Sequence, residues 1–586
     1  MSENIATQQS QSSLIPVPPD FPVNWEDPVD AHLCWTQDRL HFPDPVTPLD
    51  FSIIEQVMDA GLNEAARTYD IPISLCDRYI NTYVYTAVVP SEFPHDDADF
   101  IVSPGEDSRF IGAQRSEDRL QDAMKNLSNL WEGEWLPELQ QHLAYWEAYH
   151  LRSSSMPALL DHLHETEGRL QRVWEIHFLL FFPMVLAIGE FIDAYQDLFS
   201  DAGPFAPYEL LGGFESKTKE SDQLLWKLSR RTLASPTVRQ VFTDNPAPDV
   251  IAKLSESTEG QAFLAELYGY LELHGQQQGD KVSLNNPFWI EDPTPAIKNL
   301  QDYIAQPNRD LLTEMKKAVA RREQGVAKAR KQLQTYPRPV VEQFEFLLKV
   351  AQVGYTLKEE HIYWLDSKVS YQTRRLLLEI GRRLADAGAI DTREDVFYLS
   401  LDELKETATT LPNAKSRILH LDRHPVINAR KAVERQFTTC TPPSVLGTLP
   451  SEPPPDDAVT RMFFQIEGDV PPASETPGEL RGNAGSPGVV QGTAKVVRVL
   501  ADATKLDPGD ILVAVVTAPA WTPLFGSVAA VVTDGGGILS HCAVVAREFG
   551  IPAVVGTGTA TAAIQDGQMI EVDGNVGIIR ILSSGN

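Results

Sequence analysis

The sequence predicts a multidomain protein in which a large, mainly α-helical domain precedes a small C-terminal α/β domain. Apolar residues recur at spacings of three and four, with charges between them, through residues 119–150 and 154–199, which is typical of amphipathic helices. A further helical pattern runs from about residue 308 to residue 386. Near the C-terminus the pattern changes to short apolar runs between glycines, such as GDILVAVV at residues 509–516, which favours strands.

Proline marks the boundary between these two parts. Nine prolines crowd residues 441–480, and a segment of this composition is expected to form a stiff, extended tether. After it, MIEVDGNVGIIRIL (residues 569–582) predicts a hairpin with its turn at Asp573-Gly574. We therefore expect a flexible N-terminus at residues 1–30, a helical domain at 31–440, a proline-rich linker at 441–480 and an α/β domain at 481–586.

Charge and cysteine content exclude several classes of function. The chain has 81 acidic and 50 basic residues, a formal net charge of −31, whereas nucleic-acid binding requires clustered cations. The four cysteines show no C-x-x-C pair and no metal-ligand spacing, so the sequence predicts neither a disulfide scaffold nor a metal site. These features favour a cytoplasmic protein without nucleic-acid partners.

No segment of the sequence predicts export or membrane insertion. The N-terminal MSENIATQQSQSS is polar and lacks the basic-then-apolar order of a signal peptide. The strongest apolar run, Phe178–Ile188, is about half as long as the roughly 20 residues that a membrane helix needs, and it contains Pro183. We expect this run to be a buried core helix, and we expect no membrane partner.

The run TDGGGILSHCAVVAREFGIPAVVG, residues 533–556, carries the strongest chemical signal. Val528–Thr533 has the pattern of a buried strand, His541–Phe549 that of a short helix, and a second strand follows. The glycines at 535–537 allow close approach to the main chain, and the N-terminal end of the helix favours an anion beside His541. A histidine that carries a phosphoryl group suits such a place, although a capping or solvated histidine is the commoner role at a helix start.

The C-terminal motifs resemble a known family. GSPGVVQGTA, LVAVVTAPAWTPLF, TDGGGILSHCAVVARE and FGIPAVVGTG together resemble the swivelling phosphohistidine domain of the phosphoenolpyruvate synthase and pyruvate phosphate dikinase family, over residues 482–582. In that family the matching histidine takes a phosphoryl group from ATP in one active site, and the domain swings to deliver it at another. The resemblance therefore implies that His541 is the catalytic phosphocarrier. Cys542 stands where the family usually has alanine, which a small apolar thiol can replace.

Motifs in the helical domain have a second resemblance. They are similar to the substrate-binding region of rifampin phosphotransferase and of the phenylphosphate synthase type of phenol kinase. The resemblance implies that residues 31–440 bind the phosphoryl acceptor. The motifs are WTQDRLHFPDPVTPL (35–49), LLGGFESKTKESDQLLWKLSR (210–230), EEHIYWLD (359–366) and LLEIGRRLADAGAIDTREDVFYLSLDEL (377–404).

Two parts of the larger relatives are not recognised in this sequence. No ATP-grasp domain, no Walker-type G-x-x-x-x-G-K-[ST] motif and no phosphoenolpyruvate-binding barrel is found. We therefore expect the substrate and phosphocarrier subunit of a split dikinase, as in phenylphosphate synthase or the hydroxyacetophenone (acetovanillone) kinases. A separate ATP-grasp subunit would bind ATP with Mg²⁺ or Mn²⁺, this chain would hold no tightly bound cofactor, and a phenolic small molecule would receive the phosphoryl group.

The resemblance also assigns candidate site residues around these groups. Ser540, Gly536, Gly537 and Arg547 are candidates for positioning the phosphoryl group, although Ser540 could equally cap the helix and Arg547 could lie on a solvated face. The acceptor site needs a base and charge stabilisers, and for each of its candidates a satisfied hydrogen bond or a surface ion pair is the alternative. Those candidates lie in or beside the body motifs and are Arg39, His41, Glu360, His361 and Lys368.

Two alternatives to a phenol kinase stay open at this point. One is a non-catalytic phosphocarrier or regulatory protein, in which the C-terminal domain is phosphorylated as a signal. The other is an antibiotic-inactivating phosphotransferase, as in rifampin phosphotransferase. The aromatic stretch WEGEWLPELQQHLAYWEAYH (131–150) likewise has two interpretations, a pocket for a planar phenol or a filled core.

Overall fold

The protein folds as a helical body that carries a small sheet, followed by a C-terminal head built on a larger sheet. The coarse prediction of a helical domain followed by an α/β domain is therefore confirmed. The computed structural model describes residues 14–25, 27–39, 41–71, 73–90, 107–278, 283–410, 422–438, 440, 442–449, 468, 474, 476–498, 500–518 and 521–583.

Helices make up most of the body. Helices cover most of residues 119–150, 154–199 and 308–386, as the periodic patterns predicted, although the first of them begins earlier, at Asp107. Several helices start at a serine or aspartate whose side chain accepts a hydrogen bond from the first turn. The helices are α1 Pro48–Tyr69, α2 Asp107–Leu130, α3 Leu136–Ala148, α4 Met156–Leu198, α5 Ala206–Glu209, α6 Lys217–Ala234, α7 Pro236–Asp244, α8 Ala247–Leu254, α9 Thr258–His274, α10 Thr294–Ala305, α11 Leu311–Leu333, α12 Arg338–His361, α13 Lys368–Asp386, α14 Leu401–Thr410 and α15 His424–Phe437.

The 43-residue helix α4 is the centre of the body and packs against α1, α2 and α12. It is long and apolar enough to cross a membrane, but 78% of its most apolar window is buried inside the protein. Leu180, Val185 and Ile188 are fully buried in this helix. The prediction of a core helix is confirmed, and the helix continues through Pro183.

Two short π-helical turns interrupt the body helices. Trp131–Trp135 joins α2 to α3, and Ile362–Ser367 joins α12 to α13. The first turn belongs to the aromatic stretch, and Trp131, Trp135 and Trp146 are all buried in the core of the body. These tryptophans therefore fill a core, as the second interpretation of this stretch predicted.

The body also contains a sheet that the helical pattern did not predict. Its strands, in the order β2-β3-β1-β4, are all antiparallel to their neighbours. The β2–β3 hairpin turns at Asn81-Thr82, where both residues have positive φ without the Asn-Gly or Asp-Gly signal that usually marks such a turn. The strands are β1 Cys34–Gln37, β2 Ile73–Ile80, β3 Tyr83–Pro90 and β4 Val445–Gly447.

This sheet lies close to both ends of the predicted helical domain. Phe21, in the segment expected to be a flexible N-terminus, is 1% exposed and packs edge-on against the ring of Phe437 at 5.6 Å. Strand β4 pairs with β1, so the first residues of the segment predicted as a linker belong to the body. Residues 450–467 of that segment lie outside the described residues.

The head is an eight-stranded sheet in the order β5-β12-β11-β7-β8-β9-β10-β6. Its central strands β7 to β10 are parallel, and antiparallel strands flank them on both sides. The strands are β5 Glu479–Arg481, β6 Asn483–Ser486, β7 Val489–Val496, β8 Ile511–Ala514, β9 Ala530–Thr533, β10 Ala553–Val555, β11 Met569–Asp573 and β12 Ile578–Ser583; the helices are α16 Thr522–Phe525, α17 His541–Phe549 and α18 Ala560–Ala563.

The head is docked on the body through apolar and charged contacts. Leu539 and Val544 of the head are buried in the same apolar cluster as the body helices. Arg309 at the start of α11 lies over the ring of Phe549 at 4.9 Å. The carboxyl ends of the parallel strands, where ligands bind in open α/β sheets, carry the glycine loop that leads from β9 to α17.

Candidate functional site

The glycine loop and helix α17 form as the sequence predicts. Ser540 is the N-cap of α17 and its hydroxyl accepts from the N–H of Ala543, while Gly550 ends the helix in the left-handed conformation. Gly536 has φ of +101°, and a Cβ at this position would lie 2.7 Å from the Cβ of Ser540. The loop can therefore fold back over the helix start only because residue 536 is glycine.

His541 is the first residue of α17, and its ring is enclosed where the head meets the body. The side chain is 9% exposed, and its Nδ1 lies 3.8 Å from Oε2 of Glu359 on α12. Both ring nitrogens are buried without a hydrogen-bond partner. Polar atoms in this state are rare and mark places where a ligand or a reacting group is expected.

A small cavity of about 40 Å³ adjoins the His541 ring. Both parts of the protein contribute to it, since helix α17 of the head faces the loop 211–216, the start of α6 and one side of α12. Ser216 caps α6 at this point and accepts from the N–H of Lys219, so the positive end of a second helix dipole is directed into the site. Two helix N-termini that meet at a cavity favour an anionic ligand.

The charged side chains around the cavity form a network between the body and the head. Lys219 of α6 contacts Glu548 of α17 with an N–O distance of 2.7 Å. Burial raises the pKa of Asp222 to about 8. The nearby carboxylate of Glu548 also raises this pKa, whereas Arg309 lowers it. Asp222 therefore keeps its proton at neutral pH.

The pKa values of His541 and Glu359 are shifted in ways that suit a nucleophile. Burial lowers the pKa of His541 below its usual value, with Lys358 acting in the same direction and Glu359 opposing both. Burial disfavours the charged form of Glu359, but Lys358 and His541 outweigh it and hold the pKa of Glu359 below its usual value. A neutral imidazole thus faces an ionised carboxylate, and one ring nitrogen keeps its lone pair.

Two arginines among the candidates hold the head rather than line the cavity. Arg547 donates to the carbonyl of Gly485 and stacks over the ring of Tyr208 at 4.3 Å. Arg39 donates to the carbonyl of Gly558 at 2.6 Å and to the hydroxyl of Ser444 at 3.1 Å. Arg39 therefore joins the N-terminal sheet to the head.

The structure separates His41, Glu360 and Lys368 from the cavity. His41 is 54% exposed and pairs with Asp38 at 2.9 Å. Glu360 accepts from the backbone N–H of Lys217 and from Nε1 of Trp364, so it holds the start of α6. Lys368 lies over the rings of Tyr363 and Trp364, and none of the three lines the cavity beside His541.

Sequence reasoning missed Glu359, the carboxylate that faces His541. Glu359 and Glu360 are adjacent in the motif EEHIYWLD, and successive residues of a helix point about 100° apart. Glu359 therefore faces the head, whereas Glu360 faces Lys217. The position of the head, which the sequence did not give, decides which of the two reaches His541.

His361 belongs to a second group of side chains inside the body. His177, His361 and Asp366 each offer a donor atom, and these atoms lie within 4.8 Å of one another. Burial lowers the pKa of His361 to about 4, and His177 acts in the same direction. Although burial alone would raise the pKa of Asp366, the two histidines hold it below its usual value. Neutral imidazole and ionised carboxylate are the forms that bind metal ions.

Two family models match the chain on either side of the cavity. The mobile domain of PEP-utilising enzymes matches residues 506–577, which include His541. The fourth domain of rifampicin phosphotransferase matches residues 197–359, which include the loop at 211–216, α6 and Glu359. The two matches therefore meet at the cavity.

Curated relatives extend these matches. The chain is 41% identical to the chondramide synthase of Chondromyces crocatus over 97% of this chain and 14% of that protein. It is 31% identical to the uncharacterized phosphotransferase YvkC of Bacillus subtilis over 70% of this chain and 47% of that protein. It is 33% identical to the rifampicin phosphotransferase of Streptomyces sviceus over 58% of this chain and 36% of that protein. The chain thus spans less than half the length of each of these relatives, and what it shares with PEP-utilising enzymes and with rifampicin phosphotransferase is shown for the two matched domains.

Proposed function

We propose that this chain is the phosphocarrier and acceptor-binding part of a dikinase-type phosphotransferase, with His541 as the residue that becomes phosphorylated. The observation that carries the proposal is the state of the His541 ring. Both of its nitrogens are buried without a partner, they adjoin a cavity at the boundary of head and body, and the ring is held neutral. A neutral imidazole with a free lone pair is a competent nucleophile toward phosphorus.

The neighbouring carboxylate selects the nitrogen. Oε2 of Glu359 lies 3.8 Å from Nδ1 of His541, and an anion at this distance favours the tautomer in which Nδ1 carries the proton. The lone pair is then on Nε2. We assign Nε2 as the atom that forms the bond to phosphorus, with Glu359 as the residue that orients the ring.

The proposed reaction takes place in two transfers. His541 first takes a phosphoryl group from ATP, and with one water molecule the other products are AMP and phosphate. The P–N bond then breaks as an acceptor hydroxyl attacks phosphorus and gives up its proton to water, which yields a phosphate ester and restores neutral His541, with the electron pair of the P–N bond back on Nε2. Each transfer proceeds at its own site, so the ATP site can admit the one reacting water molecule while the acceptor site excludes water from the phosphohistidine.

The head has to move between these transfers. In the docked position the His541 side chain is 9% exposed, which leaves no path for a separate nucleotide-binding protein to reach the ring. Undocking would expose His541 to the ATP site, and docking would return it to the body. The proline-rich composition of the segment after β4 predicts a tether, and such a tether would permit this swing.

The proposal assigns nucleotide chemistry to a partner. A separate ATP-grasp subunit would bind ATP with Mg²⁺ or Mn²⁺ and would meet the undocked head. The isolated 586-residue chain should then neither bind ATP tightly nor phosphorylate an acceptor. Robust turnover of ATP and acceptor by the purified chain alone would refute this division.

The acceptor in the proposal is a phenolic small molecule bound by the helical body. A second candidate is a hydroxyl group of an antibiotic or another natural product, which the match to the fourth domain of rifampicin phosphotransferase favours. The similarity to a prodigiosin-synthesizing transferase of Serratia marcescens, at 29% identity over 59% of this chain, points in the same direction. Both acceptors supply the same nucleophile, an oxygen that must lose its proton.

Labelling with ATP tests the carrier. The chain, incubated with radiolabelled ATP, Mg²⁺ or Mn²⁺ and an ATP-grasp protein from the same genome, should gain an acid-labile phosphoryl group. His541→Ala should lose this label, whereas His164→Ala, which removes a side chain that is 90% exposed on α4, should keep it. Equal labelling of wild type and His541→Ala would refute the assignment.

A screen of acceptors then separates the candidate functions. The labelled pair is offered small phenols, hydroxyacetophenones and a rifamycin, and products are identified by mass spectrometry. Aryl phosphate with AMP supports the phenol kinase, and a phosphorylated rifamycin supports the antibiotic phosphotransferase. Stable labelling without transfer to any acceptor favours a phosphocarrier or regulatory protein instead.

A further inference from the structure

Three side chains with metal-binding chemistry meet inside the helical body. His177 lies in the middle of α4, His361 is the last residue of α12, and Asp366 lies in the π-helical turn that follows. One donor atom from each residue lies within 4.8 Å of the other two. None of the three lines the cavity beside His541, although His361 lies two residues after Glu359 on the same helix.

The His361 ring is oriented as metal-binding histidines commonly are. Its Nδ1 lies 3.0 Å from the carbonyl oxygen of Leu357, and a carbonyl can only accept, so Nδ1 carries the proton. The lone pair is then fixed on Nε2. A backbone hydrogen bond at the remote nitrogen is the usual support for an imidazole whose other nitrogen binds a metal ion.

The two other residues show unsatisfied polar atoms. Nδ1 of His177 and Oδ1 of Asp366 lie 3.4 Å apart, and both are buried without a hydrogen-bond partner. The two atoms are within ion-pair distance but make no hydrogen bond, and such incomplete satisfaction of polar atoms in the interior costs free energy. A cation bound between Nδ1 of His177 and Oδ1 of Asp366 would satisfy both atoms at the same time.

The surrounding backbone and rings fix the position of the group. Asp366 reaches His177 because residues 362–367 form a π-helical turn, a local widening that is frequent at functional sites. Trp174 stacks on His177 with ring centroids 4.9 Å apart, and the His361 ring meets His177 edge-on at 5.2 Å. The donor atoms are therefore held close together before any ligand binds.

We propose that His177, His361 and Asp366 bind one divalent transition-metal ion of the Zn²⁺ and Co²⁺ class. Two imidazoles and one carboxylate suit such ions better than Mg²⁺ or Ca²⁺, which prefer oxygen ligands alone. Bonds of about 2.1 Å place opposite ligands of one ion at most about 4.2 Å apart, so only a small inward shift of the side chains is required. Three protein ligands leave at least one coordination position for an oxygen atom of a small molecule.

Binding of Co²⁺ to the full chain tests this proposal directly. The protein is stripped with a chelator, dialysed and titrated with Co²⁺, whose visible absorption reports coordination by nitrogen and oxygen. One Co²⁺ per chain should bind with saturation, and Zn²⁺ should displace it. The readout requires neither ATP nor an acceptor, so it does not depend on the proposed phosphotransfer.

Matched variants separate this site from adventitious binding. His361→Gln and Asp366→Asn should each weaken Co²⁺ binding at least about 100-fold, since each removes a ligand. His164→Ala, which removes an exposed histidine near Glu167 on α4, should bind Co²⁺ as wild type does. Circular dichroism and melting temperatures identify any variant that fails to fold, and two independent ligand variants keep the test decisive.

Two outcomes would overturn the proposal. One is the absence of saturable Co²⁺ and Zn²⁺ binding by the wild-type chain. The other is binding that the folded His361→Gln and Asp366→Asn variants retain at wild-type strength. Either result would leave His177 and Asp366 as a buried histidine–carboxylate pair without a metal ion.

Discussion

His541 and His361 are both buried histidines at the end of a helix, yet their surroundings differ in almost every respect. His541 starts a nine-residue helix behind a glycine loop, and neither of its ring nitrogens has a hydrogen-bond partner. His361 ends the 24-residue helix α12, and its Nδ1 is held by the carbonyl of Leu357. The first ring is free to react, whereas the second is fixed in orientation.

This difference fits two kinds of chemistry. A residue that forms and breaks a bond to phosphorus needs an accessible lone pair and a domain that can move, and His541 lies on the small head. A residue that binds an ion or orients a ligand needs rigid neighbours, and His361 ends the long helix α12, which packs against α4.

Replacement of Gly536 by alanine should disrupt the site of His541 and leave the body unchanged. The added Cβ would lie 2.7 Å from that of Ser540 at a φ of +101°, so both the backbone and the helix cap must shift. We expect the head to lose about 3 kcal/mol of stability. Hydrogen exchange of amides in α17 and in α4 measures the two regions separately.

Gly567→Ala is the matched control for this change. Gly567 also has positive φ, at +86°, but nothing lies within 4 Å of an added Cβ, so only the backbone cost of about 1 kcal/mol applies. If the two variants lost equal stability, the close approach of Gly536 to Ser540 would not matter for the site. Exchange that rose equally in α4 and α17 would show that the effect of Gly536→Ala is not confined to the head.

The difference between the site of His541 in the head and the site of His361 in the body also explains how much of each could be predicted from the sequence. Three elements of the head depend only on neighbours within about ten residues: the glycine loop, the cap at Ser540 and helix His541–Phe549. Local sequence patterns therefore predicted them correctly. The hairpin at Asp573-Gly574 was also predicted, although the turn extends to Gly577. Short-range turn and capping rules suffice for elements of this kind.

The body could not be predicted to the same depth, because its sites join distant parts of the chain. His177 and Asp366 are separated by almost 190 positions, and no spacing rule links them. Glu359 was passed over for Glu360, since only the docked head shows which glutamate faces His541. The β2–β3 hairpin was missed because Asn81-Thr82 adopts positive φ without a glycine.

Replacement of Asp222 by asparagine should stabilise the protein most at alkaline pH. Burial raises the pKa of Asp222 from 3.8 to about 8, so the folded chain retains a proton that the unfolded chain loses between these pH values. The free energy of unfolding therefore falls as the pH rises through this window. Asp222→Asn removes the effect, and we expect a gain of about 1–2 kcal/mol at pH 8 after allowing for solvent screening.

Melting temperatures at pH 5 and pH 8 test this expectation. The difference between Asp222→Asn and wild type should be larger at pH 8 than at pH 5. Asp161→Asn, at an exposed position on α4, should show no such dependence. A constant difference at both pH values would mean that Asp222 ionises normally in the cavity beside His541.

Replacement of Glu359 by glutamine should lower the pKa of His541 further. Burial already lowers it, and Glu359 is the largest influence that raises it, so the variant removes the main support of the protonated ring. NMR titration of labelled histidines measures the change. Glu360→Gln is the control, because Glu360 accepts hydrogen bonds from Lys217 and Trp364 and does not face His541. If the pKa of His541 moved equally in both variants, the role assigned to Glu359 would be wrong.

The smallest effect should come from Lys219, which links the two regions. Its Nζ contacts Glu548 of the head at 2.7 Å and the carbonyl of Phe214 at 3.0 Å, and the two charged side chains are about one-fifth exposed. Lys219→Ala should favour the undocked head by up to about 1 kcal/mol, close to a fivefold change in the docking equilibrium. Faster hydrogen exchange at the start of α17 reports it.

The effect of Lys219 stays small because other contacts hold the docked head. Leu539 and Val544 remain buried in the apolar cluster of the body, and Arg309 still contacts Phe549. Lys125→Ala, which breaks a more exposed pair with Asp122 on α2, should leave exchange in α17 unchanged. High salt should reduce the difference between Lys219→Ala and wild type, since it screens the ion pair and not the apolar contacts. A difference that salt does not alter would show that Lys219 acts through packing, and the head would then be held by its apolar face alone.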